Sequence, residues 1–253
     1  KGLQAMFIMM NEARLGVAVQ GLSQSELAYQ NALEYAKTRI QSAKITNPTG
    51  GSVSIIEHPD VRRMLLDIRA INEAARLLVL EAAMLCEDKS DAAQDRLGLM
   101  TPILKGVLTD YGFENAVKAQ QVFGGHGYIK EWGMEQIARD ARISTLYEGT
   151  TGVQALDLLG RKVLIQSKGK VLLDYTANIM KWCSEYALDK GMRKFVWELT
   201  KYCAEWNTLT TRIMLTARKD REIVSAASDA VVSAYDLLNM ESCADRLLYK
   251  QSL

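Results

Sequence analysis

Proline is scarce in this chain, and its scarcity limits the fold more than any other feature of the sequence. Only 3 of the 253 residues are prolines. Proline breaks helices because it lacks a backbone N–H and its ring clashes with the preceding turn. Strong helix formers dominate the composition, and no long run of alternating β-branched and aromatic residues indicates a strand. We therefore predict an all-α protein.

Glycine, proline and polar clusters divide the first part of the chain into predicted helices. The first helix spans about 5–40, where Gly16 and Gly21 leave room for a close neighbour, and a loop follows at 42–51. A second helix begins at Pro59. A third follows Pro102 after a polar connection and ends at two consecutive glycines.

Shorter helices are predicted over the rest of the chain. One ends in a turn near position 149, and the next has Val153, Leu156, Leu159 and Val163 on one side. Beyond a polar turn at 167–170 we predict three amphipathic helices near 171–188, 191–217 and 220–250, with Trp182, Trp197 and Trp206 as aromatic anchors. The predicted architecture is a four-helix up-and-down bundle over 1–165 and a smaller helical domain over 166–253.

Composition excludes several classes of function. The formal net charge of +1 gives no general electrostatic case for binding nucleic acid or an acidic membrane. No apolar run of about 18 residues predicts a membrane span. The 4 cysteines form no CxxC pair, so a zinc knuckle or a thioredoxin-type site is not predicted. No disulfide framework is indicated, which favours a reducing compartment, and we expect a cytoplasmic protein. His58 and His126, the only histidines, are far apart in sequence, so no metal site is predicted.

Two non-helical breaks are the candidate sites for chemistry. The stretch QVFGGHGY at 121–128 has three glycines in four positions, which permit close approach of a planar or phosphate-bearing ligand. Composition alone favours the alternative, a tight turn between helices. In YEGTTG at 147–152, Glu148 is a candidate base if it is shielded from water. The alternative is that Glu148 or Thr150 caps the following helix.

Read together, four stretches resemble the C-terminal helical domain of the acyl-CoA dehydrogenase flavoproteins. They are NEAR at 11–14 with the helix that follows, Arg39-Ile40-Gln41, QVFGGHGY with the later RDARI, and LYEGTTGVQ. The resemblance covers about residues 1–165. The layout beyond residue 166 resembles a branch of larger bacterial members with an added C-terminal domain, which includes the 3-methylmercaptopropionyl-CoA dehydrogenases.

The resemblance implies α,β-desaturation of an acyl-CoA thioester with FAD as the hydride acceptor. Glu148 would be the base that removes the α-proton. The implied FAD contacts, partly across a subunit interface, are Arg39, Gln41, Gln121, Gly124, Gly125 and Thr150. The implied substrate contacts are Asn11, Arg14 and Gly149. The implied partners are an acyl-CoA, a second copy of the chain in a homodimer or homotetramer, and electron-transfer flavoprotein.

Family members also carry an N-terminal helical domain and a middle β domain, and the sequence contains neither. The chain therefore looks like the last part of a longer enzyme, and we expect it to be inactive alone. Two other functions remain open at this point. One is an acyl-CoA oxidase, which shares the base but uses oxygen as acceptor. The other is a helical interaction module without catalysis.

Overall fold

The computed structural model describes residues 2–217 and confirms the all-α fold. Its regular elements, joined by three short 3-10 helices, are α1 (Gly2–Thr38), α2 (Pro59–Glu87), α3 (Asp91–Val122), α4 (Met134–Ser144), α5 (Thr151–Leu156), a π-helix (Asp157–Gln166), α6 (Lys170–Tyr186) and α7 (Arg193–Ala217). Across 2–217 the sole β-type pairing is an isolated bridge between Ile40 and Ser54. The helix predicted near 220–250 lies outside the described residues.

Helices α1 to α4 form the bundle, and α1 and α3 approach each other most closely. A Cβ added to Gly21 of α1 would lie 2.4 Å from the carbonyl oxygen of Leu108, and one added to Gly112 of α3 would lie 2.5 Å from the carbonyl oxygen of Gly21. Only glycine fits at this crossing, as we predicted for Gly21. Gly16 has no such neighbour within 4 Å.

The start of α3 was predicted wrongly. The helix begins at Asp91 rather than after Pro102, and the second half of the polar stretch that resembled a connection, residues 91–96, belongs to its first two turns. Ser90 caps this end, since its hydroxyl accepts a 3.3 Å hydrogen bond from the backbone N–H of Ala93. Pro102 is buried inside α3. Proline removes one backbone hydrogen bond, and α3 nevertheless continues through Pro102 to Val122.

The segment after α5 departs from the predicted helical face. Leu159 and Val163 are buried, as expected, whereas 44% of Val153 and 39% of Leu156 are exposed. The backbone changes from α to π geometry at Asp157. A π-helix bonds residue i to i+5, so positions spaced for an α-helix do not share one face across this junction.

Helices α6 and α7 pack on the bundle through a shared apolar cluster. Leu99 of α3 joins Val171 and Leu172 of α6 and Trp206 of α7 in this cluster. Of the three predicted aromatic anchors, Trp206 is the deeply buried one, while Trp197 is 71% exposed. The domain boundary near residue 165 stays a prediction. No helix within 2–217 is long and apolar enough to cross a membrane.

Candidate active site

The bend between α4 and α5 has an unusual backbone. Glu148 has φ 55° and Gly149 has φ 95°. Glu148 is thus a non-glycine residue in the left-handed region, a conformation that costs energy and concentrates at functional sites. Thr150 does occupy the N-cap position of α5, but its side chain makes no capping hydrogen bond, so the expected side-chain cap is absent. Glu148 itself is half-buried.

Three side chains from three elements hold the two carbonyl groups of this bend. The carbonyl oxygen of Glu148 accepts hydrogen bonds from Arg14 Nε at 3.2 Å and from Gln154 Nε2 at 3.1 Å. The carbonyl oxygen of Gly149 accepts from Lys105 Nζ at 2.6 Å and from Gln154 Nε2 at 3.2 Å. The bend is therefore fixed through its carbonyl oxygens.

The backbone N–H of Glu148 has no acceptor within hydrogen-bond distance among the described residues. An unpaired amide beside a carboxylate is a donor available to an incoming oxygen atom. Together the two groups offer a proton acceptor and a hydrogen-bond donor at one position. Chemistry that removes a proton next to a carbonyl group requires this combination.

Arg14 connects α1, the bend and the π-helix. Besides the Glu148 carbonyl, it contacts Asp157 through a 2.7 Å ion pair in which both side chains are buried. Arg161 forms a second ion pair with the same carboxylate. Asn11 lies one turn before Arg14, and its Oδ1 is buried without a hydrogen-bond partner in the described part of the chain. An unpaired buried acceptor is rare, and Asn11 Oδ1 is one of six buried polar side-chain atoms in the described residues that have no partner.

Sequence reasoning missed three residues of this site: Lys105, Gln154 and Asp157. Lys105 is fully buried, and this burial lowers its pKa, against the opposing effect of the nearby Asp110 carboxylate. Gln154 and Asp157 are also buried. The only signal in the sequence was that Lys105 lies among apolar residues of α3, and lysines often do so with an exposed ammonium group.

A groove of about 740 Å³ lies at the other end of the bundle. Five of the six predicted FAD contacts line it: Arg39, Gln41, Gln121, Gly124 and Gly125. The sixth, Thr150, is exposed at the start of α5 and does not line this groove. The structure thus brings together residues up to 86 positions apart, from the loop after α1, the end of α3 and the glycine turn.

The walls of the groove are held by local contacts. The Tyr35 hydroxyl lies 2.8 Å from His126 Nδ1, and the Tyr35 ring stacks on Phe123 with 4.1 Å between centroids. His126 also stacks on Trp132. Across the loop, His58 Nε2 lies 2.8 Å from the carbonyl oxygen of Gln41. Both histidines thus have protein partners. No group of three metal-ligating side chains occurs in the part of the chain that the structure describes.

The bend and the groove are separate places. Lys105 contacts the bend and Gln121 lines the groove, and these two residues are sixteen positions apart on α3. At 1.5 Å per residue they are separated by roughly 24 Å along the helix axis. The bend lies beside Arg14, as the sequence led us to expect, but not beside the glycine turn.

Comparison with known proteins places this architecture in a family. The family model for the C-terminal domain of acyl-CoA dehydrogenases matches residues 1–164. The chain belongs to this family. The 3-methylmercaptopropionyl-CoA dehydrogenase of Ruegeria pomeroyi is 46% identical to it over 170 residues, which are 64% of this chain and 29% of that relative. The chain therefore spans less than a third of the length of this curated dehydrogenase.

Two solved structures share the fold over more of the chain. Caenorhabditis elegans ACDH-11 in complex with C11-CoA superposes with a TM-score of 0.73 at 20% identity, over 93% of this chain and 40% of that one. An acyl-CoA dehydrogenase from Bacillus anthracis complexed with FAD superposes with a TM-score of 0.71 at 19% identity, over 95% of this chain and 42% of that one. At these identities the likeness concerns the dehydrogenase fold alone.

Proposed function

We propose that this chain supplies the catalytic base and part of the flavin site of an FAD-dependent acyl-CoA dehydrogenase that desaturates an acyl-CoA thioester between its α and β carbons. One observation carries the proposal: Glu148 lies on a left-handed bend whose carbonyl groups are bound by buried side chains while its own N–H has no partner. Family membership supports it.

In this mechanism the Glu148 carboxylate removes the α-proton of the thioester. The N–H of Glu148 donates to the thioester oxygen, where negative charge develops. The hydride that leaves the β carbon would need an acceptor, which a bound FAD would supply. The Arg14 guanidinium is already engaged by Asp157 and the bend, so it acts by holding the bend in place. Asn11 offers its unpaired Oδ1 to the substrate, and Gly149 lets the chain turn beside it.

The groove fits a phosphate-bearing cofactor. Arg39 supplies a permanent positive charge, and Gln41 and Gln121 supply amide groups. A Cβ added at Gly124 or Gly125 would meet no atom within 4 Å, so the backbone there is open to close approach. These five residues are the FAD contacts that we propose at the groove, and Thr150 is a contact near the bend.

The separation of roughly 24 Å between groove and bend favours contacts with two different flavins. We propose that one copy of the chain contacts its own FAD near Glu148 and the FAD of a second copy at the groove, in a homodimer or homotetramer. The remaining domains of a dehydrogenase would complete both sites, so the 253-residue chain alone would not desaturate an acyl-CoA. Electron-transfer flavoprotein is the proposed electron acceptor.

Glu148→Gln in a complete dehydrogenase that contains this chain tests the proposal. We expect turnover of the acyl-CoA to fall by about 10²- to 10⁴-fold, the usual contribution of a general base, with FAD content unchanged. Glu131→Gln, at an exposed glutamate before α4, is the matched control and should retain turnover. Unchanged turnover in Glu148→Gln would refute the proposed base and favour an interaction module. Release of peroxide by the parent enzyme would indicate an oxidase.

A further inference from the structure

Lys105 is the least expected charged residue in the structure. It is the largest side chain among those that are fully buried. Its neighbours on α3, Leu104 and Leu108, belong to an apolar core cluster. Burying an ammonium group costs several kcal/mol even after relaxation, and an apolar side chain of similar length avoids this cost. A buried lysine at this position therefore needs a reason other than packing.

The hydrogen bond from Lys105 goes directly to the candidate active site. Its Nζ donates to the carbonyl oxygen of Gly149 over 2.6 Å, although the two residues are 44 positions apart. Its charge also interacts with those of Glu148, Arg14 and Asp110. Lys105 thus contacts the residue directly after the candidate base and carries a charge close to that base.

A hydrogen bond to a carbonyl oxygen fixes the orientation of the whole peptide group, because that group is planar and trans. When Lys105 and Gln154 hold the carbonyl oxygen of Gly149, the N–H of Thr150 in the same peptide group is directed to the opposite side. When Arg14 and Gln154 hold the carbonyl oxygen of Glu148, the same applies to the N–H of Gly149. The two peptide groups after Glu148 are then both fixed in orientation.

We propose that Lys105 is a positioning residue for catalysis: by holding the Gly149 carbonyl it keeps the left-handed bend in the one conformation that presents the Glu148 carboxylate and N–H to the substrate. This inference rests on the proposed function of Glu148. Lys105 does not touch the substrate and acts through the backbone.

The test uses Lys105→Met, which keeps the length of the side chain and removes the donor and the charge. Thr109→Val is the matched control, since Thr109 is equally buried on α3 and its hydroxyl bonds only within that helix, to the carbonyl oxygens of Lys105 and Gly106. In the 253-residue chain, ¹⁵N relaxation should give order parameters of about 0.85 for Gly149 and Thr150 in the parent and below about 0.6 in Lys105→Met. Thr109→Val should match the parent.

The second measurement uses the complete dehydrogenase. We expect Lys105→Met to lower kcat by about a hundredfold, as displacements near 1 Å do, with KM for the acyl-CoA and FAD content close to those of the parent. Thr109→Val should keep kcat within about twofold. If Lys105→Met does not fold, Lys105→Gln replaces it, because its amide is too short to reach Gly149.

The outcomes separate this inference from the proposed function. A rigid bend and unchanged kcat in Lys105→Met would refute the positioning role even if Glu148→Gln is inactive. A mobile bend with lost kcat, together with an inactive Glu148→Gln, would support both. If Glu148→Gln keeps full turnover, the proposed base is refuted. A mobile bend in Lys105→Met then has no consequence for catalysis, and the positioning role is refuted as well.

Discussion

Arg14 and Asp157 form a buried ion pair with 2.7 Å between Nη1 and Oδ2, although 143 positions separate them in the sequence. The same guanidinium donates to the carbonyl oxygen of Glu148. Arg14 therefore ties the start of the π-helix and the bend to α1. Through this one side chain, the stability of the bundle and the geometry of the candidate base depend on each other.

We predict that removing one partner of this ion pair strongly lowers the free energy of unfolding. Removing both partners should lower it much less. Asp157→Leu leaves Arg14 buried without its carboxylate and should lower the free energy of unfolding by about 3–5 kcal/mol. The double variant Arg14→Leu/Asp157→Leu should recover most of this loss, because no buried charge is left unpaired. Urea unfolding of the 253-residue chain measures both, and a double variant that is no more stable than Asp157→Leu would contradict the prediction.

The two glycines on either side of the N-cap of α5 should respond in opposite ways to alanine. Gly149 has φ 95°, and an added Cβ would lie 2.7 Å from Gln154 Nε2. Gly149→Ala should therefore destabilise the chain by about 1–3 kcal/mol. Gly152 lies within α5 with no atom near an added Cβ, so Gly152→Ala should be neutral or stabilise by up to about 1 kcal/mol. Thermal unfolding compares them, and equal effects would show that the bend tolerates a side chain.

Cys203 should make the folded chain sensitive to alkaline pH. Burial raises the pKa of its thiol to about 11, from an ordinary value of 9.0. The unfolded chain loses this proton first, so the stabilisation is fully present below pH 9 and is lost as the pH rises to about 11. Unfolding measured between pH 8 and 11 should show a smaller loss of stability in Cys203→Ala than in the parent. Parallel pH profiles would be evidence against a neutral buried thiol.

Arg39 should determine how firmly the groove holds FAD. A hydrogen bond to a charged group contributes about 1.5–3 kcal/mol, so Arg39→Ala in the complete dehydrogenase should weaken flavin binding by about 10- to 150-fold. Arg62→Ala, an exposed arginine on α2 that does not line the groove, is the control. Flavin fluorescence during dilution measures dissociation. Equal retention in the two variants would exclude Arg39 from the flavin site.

The helices that the sequence predicted correctly are those with local signals at their ends. Pro59 begins α2, and the glycines at 124 and 125 follow the end of α3. The start of α3 was predicted wrongly because Pro102 was taken as a boundary. A local rule for proline gives the energy of one missing hydrogen bond, and it does not include the apolar contacts that α3 makes along its whole length.

The candidate site likewise contains residues that the sequence indicated and residues that it did not. The motifs at 11–14 and 147–152 predicted that Arg14 and Glu148 belong together, and Arg14 contacts the Glu148 carbonyl. No motif indicated Lys105 or Asp157, because their importance lies in contacts across 44 and 143 positions. An ordinary exposed lysine in a helix and a buried lysine that contacts the 147–150 bend look alike in a sequence.

The sequence by itself determined the helical class and most helix boundaries. These properties depend on interactions between residues within a few positions of each other, which hydrophobic periodicity and turn residues record directly. Only the tertiary structure decided that Glu148 adopts a left-handed bend held by Arg14, Lys105 and Gln154, and that the groove lies roughly 24 Å away along α3. Burial and long-range hydrogen bonds exist only once the helices have packed, so they produce no periodic pattern in the sequence.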